Sequence, residues 1–213
     1  AGLIRVREFT MKDAYSFHAS QESLDEAYAD QYKAYFRIYS RCGLPCVAVG
    51  ADSGMMGGKV SHEYMYLSPI GEDTIITCPD CGYTANRQIA SFKKEYHKEE
   101  MLPLDKVSTP EAKTIEELSA LLGVGPEKMC KMVFMVGSFI NDKTGEEEDK
   151  LVVAAIRGDM DVEESKLSNA IKANSLRPAH PEEIEEYGMV PGFASPIGAK
   201  KGFVLCVDDS VAE

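Results

Sequence analysis

The stretch Met132–Ile156, MVFMVGSFINDKTGEEEDKLVVAAI, decides the fold of the second half of the chain. Met132 to Ile140 reads as a strand, rich in Val, Phe and Ile. Asn141 to Lys150 is a polar hairpin loop, and Leu151 to Ile156 is a second strand that pairs with the first. The elements on either side are helical. Upstream, Thr114-Ile115-Glu116-Glu117 is a capping box, Ile115, Leu118 and Leu122 share one helical face, and Gly123 is a natural stop. Gly125-Pro126 starts a short turn. Downstream the pattern predicts a helix from about Val162 to Ala173, a short one beginning near Pro181, and a last strand from Phe203 to Val207. Strands and helices mix without strict βαβ alternation, so the fold class is α+β.

The first half reads differently. Residues 3–17 look like strand material with a polar connection. Ser23-Leu24-Asp25-Glu26 is a second capping box, predicting a helix to about Cys42 with Leu24, Tyr28, Tyr35 and Tyr39 at helical spacing. Gly43-Leu44-Pro45 ends it. Cys46–Val49 is a short strand, residues 50–60 form a loop, and His62–Leu67 alternates as a strand. Residues 93–106 are polar and charged, and are expected to be a linker between domains.

Composition sets the outer bounds. The chain has 213 residues, which is one or two domains at roughly 150 residues each. Hydrophobic residues make up 44% and charged residues 27%, ordinary values for a folded soluble protein. No stretch approaches the ~20 apolar residues of a membrane span. The start lacks Met and an apolar secretory segment, and is expected to be the middle of a longer chain. Lys and Arg number 23 against 35 Asp and Glu, a net charge of −12. That balance argues against general nucleic-acid coating, including DNA, but leaves room for docking one RNA through a local patch. Six cysteines are too sparse for a disulfide scaffold, so the expected compartment is a reducing cytoplasm.

Several motifs carry chemistry, each beside a plainer reading. Arg5 and Arg7 precede Glu8 and Phe9: a guanidinium fork suits a polyphosphate and an aromatic can stack on a base, or the segment is a solvent-facing strand. Gly57-Gly58 before Ser61-His62-Glu63 could hold an amino acid's ammonium and carboxylate, or be a surface loop. Cys78-x-x-Cys81 is half of a zinc knuckle, with Cys42 and Cys46 the only other close pair. Lys131 interrupts the apolar run Met129–Val136: it either faces a cleft that takes an anion or snorkels at the strand start. Arg157-Gly158-Asp159 makes sense as a turn. Gly192-Phe193-Ala194-Ser195-Pro196 is a loop whose Gly and Pro can line a small pocket. No Walker or Rossmann glycine pattern is present.

Taken together and in order, these segments resemble bacterial-type prolyl-tRNA synthetase, a class II enzyme. Gly2–Phe9 with Met11–Phe17 is similar to the second half of its motif 2. Gly57-Gly58 with Ser61–Glu63 is similar to its proline-pocket segment, and Cys78–Asn86 to its Cys-x-x-Cys-Gly-Tyr-x-Ala-Asn stretch. Thr109-Pro110, Lys113-Thr114, Lys131, Arg157–Asp159 and Gly192–Pro196 follow its inserted editing domain. The resemblance implies a partial class II antiparallel-sheet core over residues 1–100. A mixed α/β, deacylase-like editing domain would occupy residues 101–213, incomplete at its end. The activity it implies joins proline to ATP and then to proline tRNA, with Mg²⁺, in a homodimeric complete enzyme. Arg5 would contact the ATP phosphates, Phe9 stack on adenine, and Ser61, His62 and Glu63 line the proline pocket. The inserted domain would hydrolyse mischarged alanyl-tRNA, since a pocket built for proline cannot strongly exclude a smaller amino acid. Lys131 would be the key editing residue, positioning tRNA phosphate or ribose for water attack, with Thr109, Gly192 and Pro196 shaping the alanine pocket. Motif 1, the first strand of motif 2, motif 3 and the anticodon-binding domain are absent. An excised fragment unable to make prolyl-adenylate alone is therefore expected. The alternative is a non-catalytic tRNA-acceptor or zinc-binding module.

Overall fold

The structure is a computed structural model that describes residues 6–54, 58, 60–94, 100, 103–141, 144–193 and 195–212. The chain packs as two units. One holds residues up to Val49 together with Glu63–Glu72, the other Gly50–His62 together with Asp73 onward. The boundary expected at 100/101 falls in a region mostly outside the described residues.

In the first unit, helix α1 spans Gln21–Arg41. It starts earlier than the Ser23 capping box predicts. Ser20 lies in extended backbone and its hydroxyl accepts from the Ser23 amide, so Ser20 takes the N-cap and Ser23 becomes part of the first turn. Tyr32, Tyr35, Phe36 and Tyr39 repeat at helical spacing and pack on Tyr64, with ring centroids 4.9–6.0 Å away. This aromatic seam is the unit's apolar contact. Burial pushes the Tyr64 phenol up to about 12. Strand β1 is Val47–Gly50 and β2 is His62–Met65, the latter shorter than expected. Residues 6–17 form no strand, contrary to expectation. A strand needs a neighbour for its amides and carbonyls, and among the described residues this segment has none. Its side chains are exposed, Phe9 at 65%.

In the second unit, Gly50 pairs in parallel with Ala85, and β3 (Ile75–Thr77) pairs antiparallel with β4 (Thr84–Asn86). The larger sheet has the order β7-β5-β6-β8. Strand β5 (Cys130–Ile140) and β6 (Glu147–Arg157) form the expected hairpin, but the loop is shorter than the polar run suggests. Glu147 pairs with Ile140 and Glu148 with Phe139, because the ladder bonds backbone groups whatever the side chains are. Strand β7 (Ser175–Pro178) pairs antiparallel with β5, and β8 (Val204–Val207) runs parallel to β6.

Both faces of this sheet are covered, which is why Leu151–Ile156 is apolar throughout. Met135, Val152, Ala154 and Cys206 pack on one face with Leu167 and Ile171 of helix α3 (Glu164–Ile171). Leu151, Val153, Met132 and Phe134 pack on the other with Ile184 of helix α4 (Pro181–Glu185) and with Tyr187, Met189, Ala199 and Phe203. Val152 and Val153 are wholly buried. Helix α2 (Ile115–Leu122) has the expected capping box in both directions and ends at Gly123, whose left-handed φ of 65° costs a glycine nothing. Helix α5 (Asp209–Ala212) closes the described chain. Among the described residues no helix is long and apolar enough to cross a membrane.

Candidate functional site

Lys131 is the second residue of β5 and pairs with Ile156. Alternation puts it on the same face as Val133 and Met135, the α3 side. On that side lies a cleft of about 500 Å³, lined by Ala154, Ile156, Val162, Leu167, Cys206 and Asp161 among others. The Lys131 ammonium donates to Asp161 Oδ1 at 2.9 Å. The two differ sharply in exposure: the Lys131 side chain is 25% exposed, that of Asp161 98%. Asp161 is held below the usual carboxylate range by that ammonium. The arrangement is a partly buried cation whose counter-ion belongs to the cleft lining and hangs in solvent. An incoming anion could replace that counter-ion at little cost.

The cleft carries a second ion pair. Lys94 donates to Asp208, which also accepts from the Ser210 amide at 3.0 Å and from the Ser210 hydroxyl. Burial pushes the Asp208 carboxyl up, but Lys94 and Ser210 together outweigh it and bring it down. Lys166 donates to the Ala90 carbonyl on the same side. Burial pushes the Cys206 thiol up, so it is an apolar wall here rather than a nucleophile.

The turn after β6 fixes where β5 begins. The Gly158 amide donates to the Met129 carbonyl at 2.7 Å, and Arg157 forms a two-bond fork with Asp159 at 2.6 and 2.9 Å. Arg157-Gly158-Asp159 is therefore a structural turn that anchors the residues just before Lys131.

Gly192 has a φ of 82° and is exposed, while Pro196 is half-buried. They sit in the loop between Met189 and Ala199, both of which pack on the α4 face, opposite Lys131. Lys113 lies over the Phe193 ring at 5.8 Å, which ties this loop to the start of α2, a few residues beyond the half-buried Thr109. Among the described residues no hydrogen bond joins Lys131 to Thr109, Gly192 or Pro196. Arg5 and Gly57 lie outside the described residues. Phe9 stands exposed in the irregular 6–17 segment. The Ser61 carbonyl accepts from the Ala51 amide at 3.0 Å. Along β2, His62 and Tyr64 share one side while Glu63 takes the other, and Ser61 lies just before the strand. Asp161 is a residue the sequence reading missed, since it lies thirty positions from Lys131 and no local pattern links them. Among the described residues no three His, Cys, Asp or Glu groups converge as a metal site would require.

Comparison with known proteins bears on both halves. The family model of the tRNA synthetase class II core domain (G, H, P, S and T) matches residues 1–109, and that of the aminoacyl-tRNA editing domain matches 109–213. The chain is similar to a proline–tRNA ligase of Dehalococcoides mccartyi, 48% identical over 99% of this chain and 35% of that protein. It is likewise similar to that of Salinispora tropica, at 46% over 100% and 36%, and to that of Thermotoga maritima, at 46% over 92% and 33%. The chain thus spans about a third of the length of the curated relatives it matches. A class II core stretch runs directly into an editing domain here, as the order of the two matches requires, and the chain belongs to the class II aminoacyl-tRNA synthetase family.

Proposed function

We propose that this chain is a stretch of a proline–tRNA ligase: part of the ATP-dependent machinery that joins proline to its tRNA, together with a domain that hydrolyses mischarged alanyl-tRNA. The observation that carries this reading is the match along the whole chain to proline–tRNA ligases, in the order core then editing domain. The working division is a partial core over 1–100 and an editing domain over 101–213.

Within the core stretch, Arg5 is assigned to the ATP phosphates and Phe9 to the adenine face. Ser61, His62 and Glu63 are assigned to proline. The described residues do not themselves converge as a Mg²⁺ site, so Mg²⁺ would arrive as a companion of ATP. Proline tRNA is the macromolecular partner, the complete enzyme is a homodimer, and the compartment is the cytoplasm.

Within the editing domain, Lys131 is assigned to holding a tRNA phosphate or ribose, with Thr109, Gly192 and Pro196 shaping the space for the alanyl group. The support is electrostatic. Lys131 is largely shielded and its partner Asp161, in the cleft lining, is exposed, so a phosphate can displace that carboxylate without leaving a buried charge behind. Met189 and Ala199, which flank Gly192 and Pro196, pack on the opposite face of the sheet from Lys131, which suits separate roles: one region grips the nucleic acid, the other senses side-chain size. Water, rather than a side chain, attacks the ester.

The test is made on the full-length gene product that contains this sequence. It should exchange pyrophosphate into ATP when proline is added and charge proline tRNA. Exchange supported by another class II amino acid and not by proline would contradict the assignment. The 213-residue chain alone should support no exchange.

A further inference from the structure

We propose that Cys78 and Cys81 form a vicinal dithiol that a low-molecular-weight disulfide such as glutathione disulfide converts reversibly into an intrachain disulfide. The inference does not rest on the ligase reading.

The geometry comes from the turn that joins β3 to β4. The Cys78 amide donates to the Tyr83 carbonyl at 2.8 Å and the Gly82 amide to the Cys78 carbonyl at 2.9 Å. The turn closes because Gly82 adopts a φ of 73°, which a residue with a Cβ resists. It curls the chain so that Cys78 and Cys81 stand at the first and fourth positions of one closed turn, where Cα atoms lie within about 7 Å of each other. Three donors on one sulfur stabilise its thiolate, and they hold the Cys78 thiol below its ordinary value, the Cys81 amide contributing most. Disulfide geometry accepts the Cα separation of such a turn, so the two side chains can meet by rotation. Cys78 is half-exposed and Cys81 exposed, so a small oxidant reaches both.

The other cysteines differ. Burial pushes the thiols of Cys130 and Cys206 up. A structural zinc needs four ligands, and among the described residues no third His, Cys, Asp or Glu joins this pair. Two sulfurs alone suit dithiol chemistry.

The step balances. The Cys78 thiolate attacks one sulfur of the oxidant, forming a mixed disulfide and releasing one thiolate. Cys81 gives its proton to solvent, attacks Cys78 Sγ and releases the second thiolate. Two protein thiols are oxidised and one disulfide is reduced to two thiols.

The reduced chain is incubated with glutathione disulfide at pH 7, quenched with N-ethylmaleimide, digested with trypsin and weighed. The peptide Val60–Arg87 carries both cysteines and no other. It should emerge about two mass units lighter than the reduced form, unalkylated, and return to the alkylated form after dithiothreitol. Cys81→Ser should instead accumulate a glutathione adduct on Cys78. In the native chain Cys78 should react with iodoacetamide roughly tenfold faster than Cys42. Three results would each overturn the proposal. One is both thiols alkylated after an exposure that modifies Cys42 equally. Another is no adduct on Cys78 in Cys81→Ser. The third is one equivalent of zinc on the purified chain that is lost in Cys78→Ser. If a variant does not fold, the mass of the native peptide decides alone.

Discussion

Replacing Gly158 with Ala should loosen the end of the editing sheet from which Lys131 projects. A Cβ at Gly158 would stand 2.6 Å from the Pro126 carbonyl oxygen, 3.2 Å from Met129 Cβ and 3.3 Å from Ile115 Cδ1. The closest of these is backbone and cannot rotate away. Ordinary contact would require the Pro126–Lys128 turn to retreat by about 0.8 Å. That movement lengthens the 2.7 Å bond from the Gly158 amide to Met129, whose next neighbour begins β5. Overpacking of this kind costs about 1–3 kcal/mol, and the weakened hydrogen bond adds about 1 kcal/mol. With a urea slope of about 2 kcal/mol per molar, the unfolding midpoint of the second unit should fall by about 1–2 M. Gly50→Ala is the matched control. Its Cβ would meet Thr84 O at 3.5 Å, an ordinary contact, so its midpoint should hold or rise slightly. Equal midpoints for the two variants would refute the reasoning.

Other predictions follow from the same packing and charges. Val153 is wholly buried between Leu151, Ile184 and Met189, and Val153→Ala should cost about 2–3 kcal/mol in urea titration, from two lost methyls and the cavity they leave. Glu183 is pulled down to about 2, first by the Arg177 fork at 2.6 and 2.9 Å and then by the His180 amide. A depressed carboxylate stabilises the fold above its unfolded value, so that contribution should fade as pH falls from the ordinary Glu range toward about 2. Carbon-detected NMR of the Glu183 carboxyl reads it, and an ordinary midpoint would contradict the fork. Asp161→Asn should strengthen tRNA binding to the editing domain by removing the carboxylate that competes for Lys131. Filter binding of proline tRNA checks it, and weaker binding would speak against displacement.

How far the sequence could be read depended on how local each cause was. Thr114 and Glu117 satisfy each other within one turn, so the start of α2 was legible from four residues. The hairpin was legible from its apolar runs, yet Glu147 to Lys150 look like loop and are paired, because backbone ladders ignore side-chain polarity. Strand β7 could not be seen: four residues ending in Pro178 carry no alternation, and only β5 gives them partners. The 6–17 segment failed in the other direction, having strand-like residues and no neighbour among the described ones. In the candidate site, Lys131 announced itself as a charge inside an apolar run, whereas Asp161 belongs to it only through the fold. That Met189 and Ala199 pack on the sheet face opposite Lys131 likewise follows from strand parity and from the layer these residues join, which only the fold shows.

The most direct measurement compares hydrolysis of alanyl-tRNA for proline by the full-length gene product that contains this sequence and by its Lys131→Ala variant, with proline-dependent pyrophosphate exchange measured on the same preparations. Losing one fixed cation that holds the substrate should slow hydrolysis by about a hundredfold while exchange stays at the parent rate. Hydrolysis at the parent rate in the variant would contradict the account of Lys131.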